Sequence, residues 1–287
     1  MKKKVVHFFE NFFEVIERPD MAILPGQLAF FFVLSMVPIL TLIAYGASAF
    51  NLSFDLLGQF LRTVFSDDIA KLVMPGTFGG SMGIQFFISL FVAFYIASNG
   101  ADSVIVTSNS IYGIKNKNYF KRRIKALIMT FVIVVLFIFI LLVPIFGDKI
   151  VELIRYAEMN ADVADRIAFA FKFLQGPVSW FVMFIFIKLL YTLAPDKKLY
   201  SNRVNYGAIF TTVLWVITTA IYSYYIAKFA RYDVFYGGFA NIGILMLWVY
   251  MLAYIFVIGM ALNQKEEVLE LEKTGQIDLL AKGNNKK

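Results

Sequence analysis

Apolar positions in this chain gather into six long stretches, near residues 23–50, 83–108, 124–146, 177–194, 204–227 and 239–263, with charged segments between them. The third, IKALIMTFVIVVLFIFILLVPIF from Ile124 to Phe146, carries one charge, Lys125, next to its start. About 20 consecutive apolar residues let a helix cross the roughly 30 Å hydrocarbon core of a bilayer. The pattern therefore predicts an all-α integral membrane protein with six transmembrane helices. Over residues 1–20 the pattern changes to three- and four-residue spacing. Val5, Phe8, Phe9, Phe12, Phe13 and Ile16 share one side, and Lys4, His7, Glu10, Asn11, Glu14, Glu17 and Arg18 the other, which predicts an amphipathic helix resting in the membrane interface. Leu57, Phe60, Leu61, Val64 and Phe65 repeat the spacing within Leu52–Val73. Lys149–Leu174 reads as two short helices broken near Asn160, so two external loops are expected to be helical. Residues 21–263 form the membrane domain, and 264–287 a charged tail.

The distribution of basic residues orients the spans. Lys2, Lys3, Lys4 and Arg18 precede span 1; Lys115, Lys117, Lys121, Arg122 and Arg123 follow span 2; Lys197, Lys198 and Arg203 follow span 4; Lys265, Lys273, Lys282, Lys286 and Lys287 follow span 6. The intervening loops balance their bases with acids: Arg62 and Lys71 lie among Asp55, Asp67 and Asp68. An excess of Lys and Arg marks the cytoplasmic side, so both termini are expected in the cytoplasm.

Composition narrows the chemistry. The chain is 60% hydrophobic, with 32 phenylalanines among 287 residues and a net charge of +7, beyond what a soluble domain carries. There is no cysteine, and the single histidine is His7, which excludes thiolate chemistry and a histidine-based centre within the spans. Metal-dependent phosphodiester cleavage wants clustered carboxylates or histidines. The adjacent acidic pair Asp67-Asp68 falls on the external side, and Glu266, Glu267, Glu270 and Glu272 form an ordinary charged helix leaving the membrane. No catalytic residue, metal or cofactor is expected, and no glycine-rich phosphate loop is present. The basic run KNKNYFKRRIK, Lys115–Lys125, could meet RNA phosphates. It sits between two spans with little room for a folded module, so it reads as a topology determinant touching anionic lipids, and no nucleic-acid partner is expected.

Polar groups inside the spans are costly in hydrocarbon and therefore informative. Span 2 becomes polar as it runs inward, through Ser98, Asn99, Gly100, Asp102, Ser103, Thr107, Ser108 and Asn109. Gln27, Asn99, Asp102, Lys188, Asn205 and Asn263 all fall in the inner half of the bilayer. They form a candidate polar recess for a substrate, with Asp102 and Lys188 as a charge pair. The alternative is that Lys188 snorkels alone to the headgroups and Asp102 marks where span 2 leaves the core. Ser35 and Pro38 form a candidate hinge in span 1, since a proline inside a helix removes one backbone bond.

Several segments together resemble one family. They are QLAFFFVLSMVPIL from Gln27, SNGADSVIVTSNSIYG from Ser98 with the following FKRR, LYTLAPDKK from Leu189, YGAIFTTVLW ending at Trp215, and YDVFYGGFANIGILMLWVYMLAYIFVIGMALN from Tyr232 to Asn263. This combination resembles the YihY/BrkB family of bacterial inner-membrane proteins, long labelled "ribonuclease BN". The resemblance implies a six-span helical fold with cytoplasmic ends. It also implies a link to envelope integrity and to the movement of lipids or related amphiphiles. The chain departs from the family pattern at Phe30-Phe31, where a tyrosine is expected, and at Gly259-Met260-Ala261, where an acidic residue often follows Gly-Ala. The expected function is transport or flipping of an amphipathic substrate, with membrane lipids as partners. The alternative is a scaffold that binds a protein partner or a second copy, its polar residues locking helices together.

Overall fold

Backbone N–H and C=O groups have no water to bond within hydrocarbon, so each apolar stretch is driven to satisfy them internally as helix. The computed structural model describes residues 12–49, 84–116, 118–136, 161–229 and 238–273. The chain there forms α1 (Asp20–Ala49), α2 (Ile84–Ile111), α3 (119–136), α4 (Ala161–Leu193), α5 (Asn205–Phe229) and α6 (Gly238–Lys273), with a 3₁₀ turn, Ser201–Val204, leading into α5. No strand occurs among the described residues. Among the described residues four segments are long and apolar enough to cross a membrane: Leu90–Ile111, Gly176–Leu193, Ser201–Tyr225 and Gly243–Val268. They coincide with expected spans 2, 4, 5 and 6. α1 adds the shorter apolar stretch Asp20–Met36. The end of expected span 3, the loop Leu52–Val73 and residues 1–11 lie outside the described residues.

One expectation is corrected. The expected second short helix before span 4 is not separate: α4, Ala161–Leu193, runs through Pro177 unbroken, while the expected break near Asn160 lies outside the described residues. Gly176-Pro177 reads as a break, yet proline removes only its own N–H from the ladder, and the neighbouring backbone groups have nowhere else to bond. α1 passes through Pro25 and Pro38 in the same way. The described helical end of the N-terminal segment, 12–16, packs on the bundle. Val15 is fully buried, and the Phe12 ring lies 6.0 Å from that of Phe210.

α6 is the hub, packing on α1, α2 and α5, while α4 packs on α5 and α1 on α2. The exposed faces are apolar stripes at helical spacing, such as Ile23, Phe30 and Leu34 on α1 or Ile209, Val213, Ile217 and Ile221 on α5, as a lipid-facing surface requires. Small polar residues go inward instead. Ser35, Ser98, Ser103, Thr107, Thr130 and Thr211 are all buried. Several bond back to a carbonyl of the preceding turn, as Thr130 does to Ala126 (2.8 Å) and Thr212 to Ala208 (2.7 Å). α2 stops in a glycine cap: Gly113 has φ +64°, Ile114 N donates to Asn109 O (2.8 Å) and Gly113 N to Ser110 O (3.0 Å), the paired bonds of a left-handed C-terminal turn.

Small residues set the closest approaches between helices. A Cβ on Gly207 of α5 would stand 2.1 Å from Gly259 O of α6, and one on Gly259 would stand 2.1 Å from Thr211 Oγ1 and 2.3 Å from Tyr191 Oη. The buried Tyr191 hydroxyl donates to Phe256 O (2.8 Å) and pairs with Thr211 Oγ1 (2.6 Å). Trp215 Nε1 donates to Leu252 O at 2.9 Å. With no hydrophobic drive between helices in lipid, such close packing and interhelical bonding hold the bundle. Gly259→Ala should therefore lower stability by about 1–3 kcal/mol or more, the range for overpacking. Gly26→Ala, where nothing lies within 4 Å of the new Cβ, should leave it unchanged or slightly raised. Thermal unfolding of the detergent-solubilised chain reads both.

Candidate functional site

Polar and charged side chains where α2, α4 and α6 end and α1, α3 and α5 begin are joined in separate nodes rather than one recess. At the foot of α4 the chain turns through Ala194-Pro195-Asp196, and the Asp196 side chain is 2% exposed. Lys125, near the start of α3, donates to Ala194 O (2.6 Å), Pro195 O (2.9 Å) and Asp196 Oδ1 (2.8 Å). It thus neutralises the carboxylate and satisfies carbonyls beyond a helix C-terminus, where a cation is also favoured by the helix dipole. Asn109 of α2 completes the node. Its Nδ2 donates to Asp196 Oδ2 (3.0 Å) and to Asn116 Oδ1 (2.9 Å), and its Oδ1 accepts from Asp196 N (2.9 Å).

Asp102 and Asn99 belong to a second node, between α2 and α3. Asp102 Oδ1 accepts from Arg122 Nε at 2.8 Å. The expected Asp102–Lys188 pair is therefore not formed. The adjacent helix start supplies a nearer cation, and Lys188 instead places its ammonium 5.9 Å from the Phe184 ring centre. Asn99 Oδ1 accepts from Arg123 Nη1 (2.9 Å), Arg123 Nη2 donates to Tyr95 O (2.7 Å), and the guanidinium lies 3.8 Å over the Tyr95 ring.

A third node clasps the described N-terminal segment, the turn before α5 and the end of α6. Glu267 is bound by Lys197 (2.5 Å) and faces Arg203 (3.8 Å). Arg18 donates through both terminal nitrogens to Gln264 Oε1 (3.1 Å each), and Lys265 pairs with Glu14. The Lys265 bond holds the Glu14 carboxyl below the usual carboxylate range. Burial, with Glu267 nearby, pushes the Tyr112 hydroxyl up, so it stays protonated beneath Lys197, whose ammonium is 4.4 Å from its ring.

The remaining candidates part company. Asn263 is a helix cap: its Oδ1 accepts from Gly207 N at 2.7 Å, one of the orphan donors in the first turn of α5. Asn205 lies at the start of the same helix with its Oδ1 buried and unbonded among the described residues. Ser35 is buried against Gly100, where a Cβ would meet its Oγ at 3.0 Å. Pro38 sits within the unbroken α1. Gln27 alone faces outward, exposed between Ile23 and Phe30 on the lipid stripe, and makes no side-chain hydrogen bond among the described residues. Beside it the surface is concave. An open groove of about 380 Å³ runs between α1 and α6, lined by Gly26, Ala29, Phe30 and Val33 on one side and Gly243, Met246, Leu247 and Tyr250 on the other. Sequence reasoning missed the groove, and it missed Arg122, Arg123, Lys125 and Asp196 as partners. A base opening one span and an acid closing another at the same depth was the available signal. Among the described residues no group of three or more His, Cys, Asp or Glu side chains could hold a metal.

Comparisons with known proteins agree with this helical membrane architecture. The family model described as "Virulence factor BrkB" matches residues 12–277. A Bacillus subtilis protein, YfkH, whose name calls it ribonuclease-like, is 28% identical over 243 residues, covering 83% of this chain and 87% of its own. A UPF0761 membrane protein of Pseudoalteromonas translucida is 27% identical over 276 residues, covering 91% and 86%. Another, from Vibrio campbellii, is 24% identical over 299 residues, covering 97% and 90%. No solved structure matches the chain.

Two measurements test these nodes. Lys125→Met strands the buried Asp196 carboxylate and should cost about 3–5 kcal/mol, the range for breaking a buried pair; Lys188→Met, which breaks no ion pair, should cost far less in the same unfolding assay. The second concerns pH. Because the folded Glu14 carboxyl is depressed by Lys265, the tether it contributes is fully present above the ordinary carboxylate value of 4.5 and is lost as pH falls through the lower folded value. Hydrogen exchange of residues 12–18 should therefore be insensitive to pH above 4.5, after correction for intrinsic rates, and lose protection only below it.

Proposed function

This chain belongs to the BrkB family, and from that premise we propose that it moves or flips a lipid-like or other amphipathic molecule across the bacterial inner membrane in maintaining the cell envelope. The observation that carries the reading is the groove between α1 and α6. It opens on the surface where acyl chains run and its lining is uncharged; Gln27, an exposed amide, follows Gly26 of that lining in the chain. The alternation of basic segments supports six spans with both ends cytoplasmic, which puts the start of α1 at the inner face. Gln27 is then seven residues into α1, roughly 10 Å from its start, and its side chain leans back toward that end. This brings the amide toward the depth at which lipid ester groups of the inner leaflet meet hydrocarbon. Ser35 and Pro38 lie further along the same helix, where a missing backbone bond offers a hinge.

No enzymatic step is part of this reading, and the ribonuclease-like name of the Bacillus relative does not enter it. A second reading, a scaffold without transport, is favoured by one fact: Asn99, Asp102 and Asn263 are all engaged in holding helices together. Reconstitution in liposomes carrying a headgroup-labelled fluorescent phospholipid separates the two. Transfer between leaflets should exceed that of empty liposomes, and should fall at least several-fold in Gly243→Leu, which fills the groove, and in Gln27→Leu. Transfer no faster than in empty liposomes would discard transport and leave the scaffold.

A further inference from the structure

The corner where α2 meets α3 carries more positive charge than its own carboxylate can use. Lys121, Arg122 and Arg123 follow one another at the start of α3, and Arg122 pairs with Asp102 of α2. Asp102 engages only Nε of Arg122, leaving its two terminal nitrogens unbonded among the described residues, and the Arg122 side chain is 20% exposed. Lys121 is exposed and has no partner among the described residues. Beneath them Arg123, 8% exposed, faces only neutral groups: Asn99 Oδ1, Tyr95 O and the Tyr95 ring. Two exposed phenols frame the corner, the Tyr95 and Tyr119 hydroxyls standing 3.4 Å apart.

We propose that this corner binds the phosphate of an anionic phospholipid from the inner leaflet. Three cations against one carboxylate leave it positively charged, and a phosphodiester supplies the complement. The fork of a guanidinium suits phosphate oxygens, and the ammonium and phenol hydroxyls add donors. The surroundings select lipid over other phosphate carriers. Phe120, Ile124 and Ile128 continue down α3 as an exposed apolar stripe, and Phe91 and Val92 continue along α2. A phosphate held at the corner therefore has acyl-chain surface directly below it. An RNA strand would gain the charges but nothing from the stripes. The site is independent of the groove between α1 and α6, so either can stand without the other.

Asp102 supplies the discriminating test. If the Asp102–Arg122 pair were only a helix lock, removing either partner would do equal harm. If Arg122 also holds phosphate, Asp102→Asn releases it and removes a repelling charge. The full chain in neutral detergent is titrated with phosphatidylglycerol or phosphatidylcholine and adducts are counted by native mass spectrometry, with inorganic phosphate and a short RNA as competitors. Phosphatidylglycerol should be preferred. Lys121→Gln, an exposed substitution that leaves the fold alone, should weaken it about fivefold, the scale for one basic residue near an anionic surface. Arg122→Gln should weaken it similarly or more, and Asp102→Asn should retain or strengthen it. Equal binding of the two lipids, no change in Lys121→Gln, or equal loss in Asp102→Asn and Arg122→Gln would overturn the proposal. Displacement by RNA or by inorganic phosphate at equal concentration would also overturn it, reassigning the corner to nucleic acid or to a free anion.

Discussion

A carboxylate buried at the foot of α4 demands a cation, and the bundle is assembled around the lysine that answers it. Lys125 neutralises Asp196 while bonding two carbonyls past the helix end, and Asn109 grips the same residue through both its main-chain N–H and its side chain. Three helices are thereby held together around a carboxylate whose side chain is 2% exposed. Removing one member leaves charge or carbonyls stranded, which is why such a node is an all-or-none device. The Asp102–Arg122 and Glu267–Lys197 contacts repeat the logic at neighbouring positions. Together they turn the inner ends of the helices into an interlocked layer, while the hydrocarbon-depth contacts rely on glycine and hydroxyl packing.

Much of this was legible in the chain. Long apolar stretches force helices once the solvent is hydrocarbon, and α2, α4, α5 and α6 fall where periodicity and charge put them. Boundaries were harder. Gly176-Pro177 carries the local signature of a break, but local signature does not weigh what the flanking backbone would lose by unwinding. The site was legible only in kind. Of the polar residues singled out, Asn99, Asp102 and Asn263 bond between helices, yet which partner each takes depends on which faces meet, and that is a property of packing. Asn263 looks like a lining residue in sequence and is a cap for another helix in space. Asp102 and Lys188 share a depth but not a neighbourhood; Arg122, reached through a short loop, is closer.

Once these pairings are made, the polar groups divide by task. Asn99, Asp102, Asn109 and Asn263 bond helix to helix, Thr130 and Thr212 bond back within their own helices, and Gln27 faces outward. Gln27 is exposed among Ile23, Phe30 and Leu34, and the basic corner of α2 and α3 lies on another part of the surface. The groove between α1 and α6 is lined without charge, and the corner of α2 and α3 sets charge beside apolar stripes.

The meeting of Gly207 with Gly259 has a mechanical consequence. Neither position accepts even a methyl group, and Asn263 and Tyr191 bond across the same seam. A helix pair in such close register cannot slide by a fraction of a turn without driving backbone into backbone. α5 and α6 thus behave as one stiff beam, with α4 riveted to it by a phenol. α1 meets that frame along a different kind of seam: it packs on both α2 and α6, yet at Gly26 and Gly243 a new Cβ would meet open space, so side chains could be added there without driving the helices apart.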